Sequence, residues 1–126
     1  MQGALFEMSG AEGYDSETFI RVFMRSKIAE GLDSDFDYTQ WAGKEYIMER
    51  MKEEYPEGFS QKGIVFDSET LYWAGYLYRY WHFYTGESSK DIYKQADAQT
   101  VNTMYYGYHT LDIEMAIDRL KEVKKK

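Results

Sequence analysis

The sequence predicts an all-α fold, a compact bundle of five to six helices around a central aromatic-rich helix at about 68–85. Three observations predict it. The run at 71–84, LYWAGYLYRYWHFY, is mostly aromatic and has one clearly charged residue, Arg79. Apolar residues recur at helical spacing in the segments on both sides of this run. The short apolar stretch 64–66 resembles a strand but has no evident partner strand.

The residues on either side of the aromatic run mark the limits of the central helix. Asp67 is placed to cap its first turn, and Glu69 lies where the positive end of the helix dipole favours an anion. Gly86 is suited to end it. Gly75 costs about 1 kcal/mol of helix propensity relative to alanine, so we expect another helix to approach closely there.

The other helices follow from caps, breaks and apolar spacing. Asp15 can cap a first helix over about 16–30, which Gly31 can end. Further helices are expected from Thr39 or Gly43 to Tyr55, over 89–96, over 98–106 and from about Asp112 onward. Residues 1–13 lack a periodic pattern, so we expect a flexible N-terminal arm there and a single helical domain over 14–126.

The segment 32–38, LDSDFDY, is rich in aspartate and is expected to form a solvated loop. Its alternating acids resemble the start of a calcium-binding EF-hand loop that begins at Asp33. However, Tyr38 stands at the sixth position, where that loop needs glycine, and Lys44 stands at the twelfth, where it needs glutamate. The sequence therefore does not predict a calcium site.

The composition excludes several classes of function. The net charge of −7 argues against direct binding to nucleic acid, and it favours solubility or a basic partner. With no cysteine, disulfides, thiolate zinc sites and cysteine nucleophiles are excluded, and a cytoplasmic location is expected. The aromatic run is shorter than the roughly 20 apolar residues of a membrane span and contains Arg79, so no membrane association is predicted.

Arg79 is the first candidate for a binding role, because a guanidinium among aromatic rings can stack on them and grip a carboxylate. It and its neighbours form a candidate pocket or interface: Tyr76, Arg79, Tyr80, His82 and Phe83. Two interpretations stay open. Arg79 binds an anionic ligand or a partner's acid, or it forms an internal ion pair with an acid of another helix.

A second group of candidates lies near the end of a short helix: Tyr105, Tyr106, Tyr108 and His109. Exposed tyrosines are good interface anchors, whereas buried ones belong to the core, and both interpretations stay open here. His82 and His109 are the only histidines, and neither lies in a metal-binding or catalytic motif. No catalytic residue, metal ligand or cofactor is predicted.

Three stretches together carry a family resemblance: YWAGYLYRYW at 72–81, SSKDIY at 88–93, and YYGYHTLD followed by AIDRL within 105–120. They resemble a family of small uncharacterised proteins from gut-dwelling Firmicutes, and the resemblance covers about 66–120. It implies a gene beside small partner genes in a toxin–antitoxin-like module, including modules with an ADP-ribosyltransferase-like toxin. It implies no catalytic residue.

These observations favour a non-enzymatic protein-binding module, an antitoxin-like neutraliser of a bacterial partner protein such as a toxin encoded nearby. One alternative is a small helical ligand-binding protein or enzyme with a pocket around Arg79. Another is an acidic inhibitor that mimics nucleic acid. A deep pocket at Arg79 would favour the first alternative, and a flat tyrosine-rich patch the binding module. Homo-oligomer formation stays open.

Overall fold

The computed structural model describes residues 1–34, 43–56 and 59–125. Within these ranges the chain forms eight α-helices and no β-strand, which confirms the all-α prediction. The helices are α1 (Gln2–Ala11), α2 (Ser16–Met24), α3 (Lys27–Asp33), α4 (Lys44–Glu54), α5 (Ser68–Thr85), α6 (Ser89–Gln95), α7 (Ala98–Tyr108) and α8 (Ile113–Lys125). The predicted count of five to six helices was too low.

Two differences account for the count. Residues 2–11 form a helix where a flexible arm over 1–13 was predicted. The helix predicted over about 16–30 is two helices, because the chain breaks at Arg25 and Ser26. There the Ser26 hydroxyl accepts a hydrogen bond from the Ala29 N–H at 3.0 Å and starts α3 as its cap.

The prediction of a flexible arm was wrong because α1 is part of the core. Leu5 and Phe6 are completely buried. The Phe6 ring makes edge contacts with Phe23 and with Tyr78 of α5, at centroid distances of 5.5 and 6.2 Å. Burial of two large apolar side chains stabilises a helix that has no side-chain cap at its start.

Helix α1 lies unusually close to α5, and glycines on both helices permit it. A Cβ atom added at Gly75 would lie 2.5 Å from the carbonyl oxygen of Gln2, and one added at Gly3 would lie 2.8 Å from that of Tyr72. Both obstacles are backbone atoms, which cannot move aside without shifting a helix. The close approach expected at Gly75 is therefore present, and the partner is the segment predicted to be an arm.

Helix α5 has the predicted bounds and is the centre of the fold. Its fully or almost fully buried apolar side chains are Leu71, Ala74, Leu77, Tyr78 and Trp81. Asp67 occupies the N-cap position but makes no capping hydrogen bond with its side chain. Gly86 ends the helix in the left-handed conformation, with φ of 80°. No helix in the described ranges is long and apolar enough to cross a membrane, which agrees with the prediction for the aromatic run.

The contact at Gly75 predicts opposite effects for two glycine-to-alanine changes. Gly75→Ala should lower the free energy of unfolding by about 1–3 kcal/mol, because the added methyl overpacks the α1 backbone. Gly107→Ala is the matched control: Gly107 lies inside α7 with open space around it, so alanine should stabilise by about 0.5–1 kcal/mol. Urea unfolding of both variants tests this. A Gly75→Ala protein as stable as the Gly107→Ala protein would contradict the α1–α5 contact.

Candidate functional site

The Arg79 side chain lies between three other helices and is bonded to each. Its Nη1 donates to Asp33 Oδ1 of α3 at 2.8 Å, its Nε to Gln2 Oε1 of α1 at 3.0 Å, and its Nη2 to Ser89 Oγ of α6 at 3.4 Å. The Arg79 and Asp33 side chains are 16% and 10% exposed. Burial lowers the pKa of Arg79, and the ion pair with Asp33 opposes that effect. The structure thus shows the internal ion pair, one of the two interpretations left open for Arg79.

Asp33 was expected in a solvated loop, and this expectation was wrong. It is the last residue of α3, and besides Arg79 it accepts hydrogen bonds from the Ser89 N–H at 2.7 Å and the Ser89 hydroxyl at 2.8 Å. One carboxylate therefore joins α3, α5 and the start of α6. The later acids of the same segment, Asp35 and Asp37, lie outside the described residues.

Glu87 is a second charged centre, one that the sequence pattern did not single out. It accepts hydrogen bonds from the Trp81 indole N–H at 2.9 Å and from Lys121 Nζ at 2.6 Å, and also from the Gln95 amide. Partial burial raises the pKa of Glu87, but these hydrogen bonds outweigh it and lower the pKa to about 2. Glu87 therefore ties α5, α6 and α8 together.

Both histidines have local structural contacts. His82 Nδ1 lies 2.8 Å from the Glu87 carbonyl oxygen and 3.7 Å from Asp33 Oδ1. The His109 ring stacks on Tyr105 at a centroid distance of 4.2 Å, and its Nδ1 lies 2.7 Å from the Tyr105 carbonyl oxygen. In both rings, Nδ1 therefore lies within hydrogen-bond distance of a backbone carbonyl oxygen.

One side of α5 carries exposed aromatic residues, which we call the aromatic stripe: Tyr72, Tyr76 and Phe83. They are 48%, 47% and 71% exposed. At about 100° per residue, their spacing places them within roughly 40° of one another around the helix. Contiguous exposed apolar surface of this kind marks interaction sites in monomeric proteins.

Two small cavities lie along the aromatic stripe, where it meets the start of α1. Each has a volume of about 230 Å³, and Met1, Gln2, Arg79 and Phe83 line both. Ligand pockets usually have about 300–1,000 Å³, so each is small for that purpose. A larger cavity of about 640 Å³ lies elsewhere, between α1 and residues 65–71, and no predicted site residue lines it.

The candidates on α7 divide between exposed and packed positions. Tyr106 is 82% exposed, whereas Tyr108 is partly buried against the core. Tyr105 contacts α5 near its beginning: its ring lies 5.6 Å from that of Trp73, and its hydroxyl donates to Glu69 at 3.4 Å. Tyr105 therefore contacts α5 in its first half, away from Phe83.

Tyr80 and Tyr84 connect α5 to α8. The Tyr80 hydroxyl donates to Glu114 Oε2 at 2.8 Å, and the Tyr84 hydroxyl donates to Asp118 Oδ1 at 3.2 Å. The hydrogen bond to Glu114 is the main reason why the pKa of Tyr80 is raised. Tyr80 also packs beside Tyr76 at 5.9 Å, so it borders the aromatic stripe. Tyr72 was not among the predicted site residues, although its spacing of four from Tyr76 could have indicated it.

The Asp33–Arg79 pair should be strongly coupled in stability. Asp33→Asn leaves a largely buried guanidinium without its counter-charge and should destabilise by about 3 kcal/mol. Adding Arg79→Met to that variant should cost less than Arg79→Met costs in the wild type, with a coupling of about 1–3 kcal/mol in a double-mutant cycle. Glu54→Gln, which breaks the more exposed pair with Arg50, is the control and should cost under about 0.5 kcal/mol. An unchanged unfolding midpoint for Asp33→Asn would show that the pair does not stabilise the fold.

Glu87 should make stability depend on acidity. Its pKa falls from 4.5 to about 2 on folding, so its contribution is complete above about pH 5 and disappears as the pH falls towards 2. At pH 7, Glu87→Gln should therefore destabilise by about 1–2 kcal/mol. The difference from wild type should shrink between pH 4.5 and 2. Denaturant unfolding across this range tests it, and a difference independent of pH would refute it. Lys121→Met, which removes one donor to Glu87, should reproduce part of the effect.

No protein-family model, curated protein or solved structure matches the chain significantly. The resemblance to the Firmicutes family therefore stays a prediction, and a functional proposal has to be argued from the geometry of α5 and its neighbours.

Proposed function

We propose that this chain is a non-enzymatic protein-binding module that binds a partner protein through the aromatic stripe of α5. The observation that carries the proposal is the exposure of Tyr72, Tyr76 and Phe83 on the helix that otherwise forms the core. Rigid aromatic side chains supply large contact area at low entropic cost, which is why they recur among the strongest contributors to interfaces. An antitoxin-like, neutralising role follows from the family resemblance.

The way in which neighbouring helices hold α5, the helix that carries the aromatic stripe, supports this role. The opposite side of α5 is buried. Hydrogen bonds from Arg79 to Asp33 and from Trp81 to Glu87 hold the helix in place. The backbone that carries the stripe is therefore already ordered before a partner arrives. Preorganisation of this kind raises affinity, because less conformational freedom is lost on binding.

The alternative of a ligand pocket or enzyme site around Arg79 has less support. Three of the five N–H donors of the Arg79 guanidinium are already bonded to Asp33, Gln2 and Ser89, and its charge is balanced by Asp33. The adjoining cavities, of about 230 Å³ each, are partly open to solvent and smaller than usual ligand pockets. A surface with small, open cavities suits contact with another protein better than it suits a small-molecule ligand.

The nucleic-acid mimic also has less support. Acids at intervals of four residues form one row on α4, at Glu45, Glu49 and Glu53, and another on α8, at Glu114, Asp118 and Glu122. Helix α4 packs mainly against α1 and α3, whereas α8 packs mainly against α5 and α6. The two rows therefore lie on helices with different neighbours, instead of on one pair of adjacent helices as an imitation of two phosphate backbones would require.

Binding to the product of the neighbouring gene tests the proposal. Phe83→Ala, and separately Tyr76→Ala, should weaken the complex about 30-fold or more, because each removes a central aromatic contact. Tyr106→Ala is the matched control, since it removes an even more exposed ring from α7 and should leave the affinity unchanged. Co-expression should protect cells from the neighbour's toxicity, and Phe83→Ala should reduce protection. Full toxicity during co-expression, with no complex formed, would refute the proposal.

A further inference from the structure

A row of carboxylates runs beside the aromatic stripe. Glu114, Asp118 and Glu122 follow one another at intervals of four residues on α8, and the last two are exposed. The bonds from Tyr80 to Glu114 and from Tyr84 to Asp118 advance by four residues on both helices. Helices α5 and α8 therefore run in the same direction here. The acidic row begins beside the last part of the stripe, at the level of Tyr80, and continues past the end of α5.

We infer that the occupant of this surface is a basic amphipathic helix of the partner protein, an inference that rests on the proposed function. Its apolar side packs on Tyr72, Tyr76 and Phe83, and its lysine or arginine side chains on one flank face the carboxylates of α8. An amphipathic helix laid along a groove is a recurrent mode of peptide recognition.

The dimensions fit a helix. At 1.5 Å per residue, the aromatic stripe is about 16 Å long and the acidic row about 12 Å, which corresponds to two to three turns of a partner helix. Packed helices lie about 8–10 Å apart, so a helix seated on α5 brings its basic flank over the neighbouring α8. The small cavities beside Phe83 and Met1 would receive its apolar side chains.

The charge of the surface selects a basic partner. On α8, Lys121 is bonded to Glu87, and Arg119, which lies about 60° around the helix from Glu122, forms no ion pair with the row among the described residues. A second copy of this chain, with a net charge of −7, would place one acidic row near another if the two faces met by symmetry. A phosphate backbone would be repelled for the same reason.

A matched pair of designed peptides tests the inference. Each is an amphipathic helix of about five turns with a leucine stripe, and the two differ only in carrying lysine or glutamate on one flank. In fluorescence anisotropy at about 0.15 M salt, the lysine peptide should bind at least tenfold more tightly than the glutamate peptide. Phe83→Ala should weaken the binding of both. Raising the salt concentration should weaken the binding of the lysine peptide but not that of the glutamate peptide. This test uses the wild-type protein alone.

The triple variant Glu114→Gln, Asp118→Asn, Glu122→Gln should abolish the preference for lysine. The amide oxygens of the new side chains can still accept the hydrogen bonds from Tyr80 and Tyr84, so we expect the variant to fold. The control triple, Glu45→Gln, Glu49→Gln, Glu53→Gln, removes the same charge from α4 and should keep the preference.

Three outcomes would overturn the inference: equal affinity for the two peptides, a preference that survives in the α8 triple, or dimerisation of the chain through Phe83. The peptides do not require the neighbouring gene product. If neither peptide is preferred but a partner complex still depends on Phe83, only the inference of a basic partner helix is refuted. The proposed protein-binding function then stands.

Discussion

The close contact between α1 and α5 is the constraint on which the rest of the structure depends. With backbone atoms of Gln2 and Gly3 directly over Gly75, the two helices approach without intervening side chains. This places the Gln2 amide where it accepts a hydrogen bond from Arg79, and it buries Phe6 against Tyr78. Helix α1 thereby covers one side of α5, and the aromatic stripe stays exposed on α5 beside the covered side.

Two carboxylates then fix the other helices to α5. Asp33 links Arg79 to the start of α6, and Glu87 links Trp81 to Lys121 of α8. Partly buried charges are tolerated only where each has several donors or acceptors, and both carboxylates meet that condition. These two charged centres thus serve packing, and the exposed side of α5 is mainly aromatic.

Local signals in the sequence predicted what is local in the structure. Helix α5 could be bounded because glycine at position 86 readily adopts the left-handed conformation that ends a helix. Asp15 caps α2 as predicted, and Ser88 and Asp97, residues of the usual capping types, cap α6 and α7. The partner of Arg79 could not be predicted, because Asp33 is separated from it by 46 residues. Helix α1 was missed because its glycines indicate a loop when considered alone, whereas in the fold Gly3 lies against the α5 backbone at Tyr72 and Gly10 lies against Leu71. Tyr76 and Phe83 were predicted as candidates, but their exposure depends on which sides of α5 its neighbours leave uncovered.

In the proposed interface, the same arrangement would separate two contributions to recognition. Charges at the rim of an interface act mainly on the rate of association and its salt dependence, whereas desolvated aromatic contacts act mainly on the rate of dissociation. The carboxylates of α8 are held at the rim by Tyr80 and Tyr84, and the stripe lies on the ordered helix beside them. Because Tyr80 both borders the stripe and holds Glu114, the position of the acidic row is coupled to that of the aromatic surface. Displacement of Tyr80 would disturb both at once, so we expect the proposed partner helix to leave this tyrosine in place.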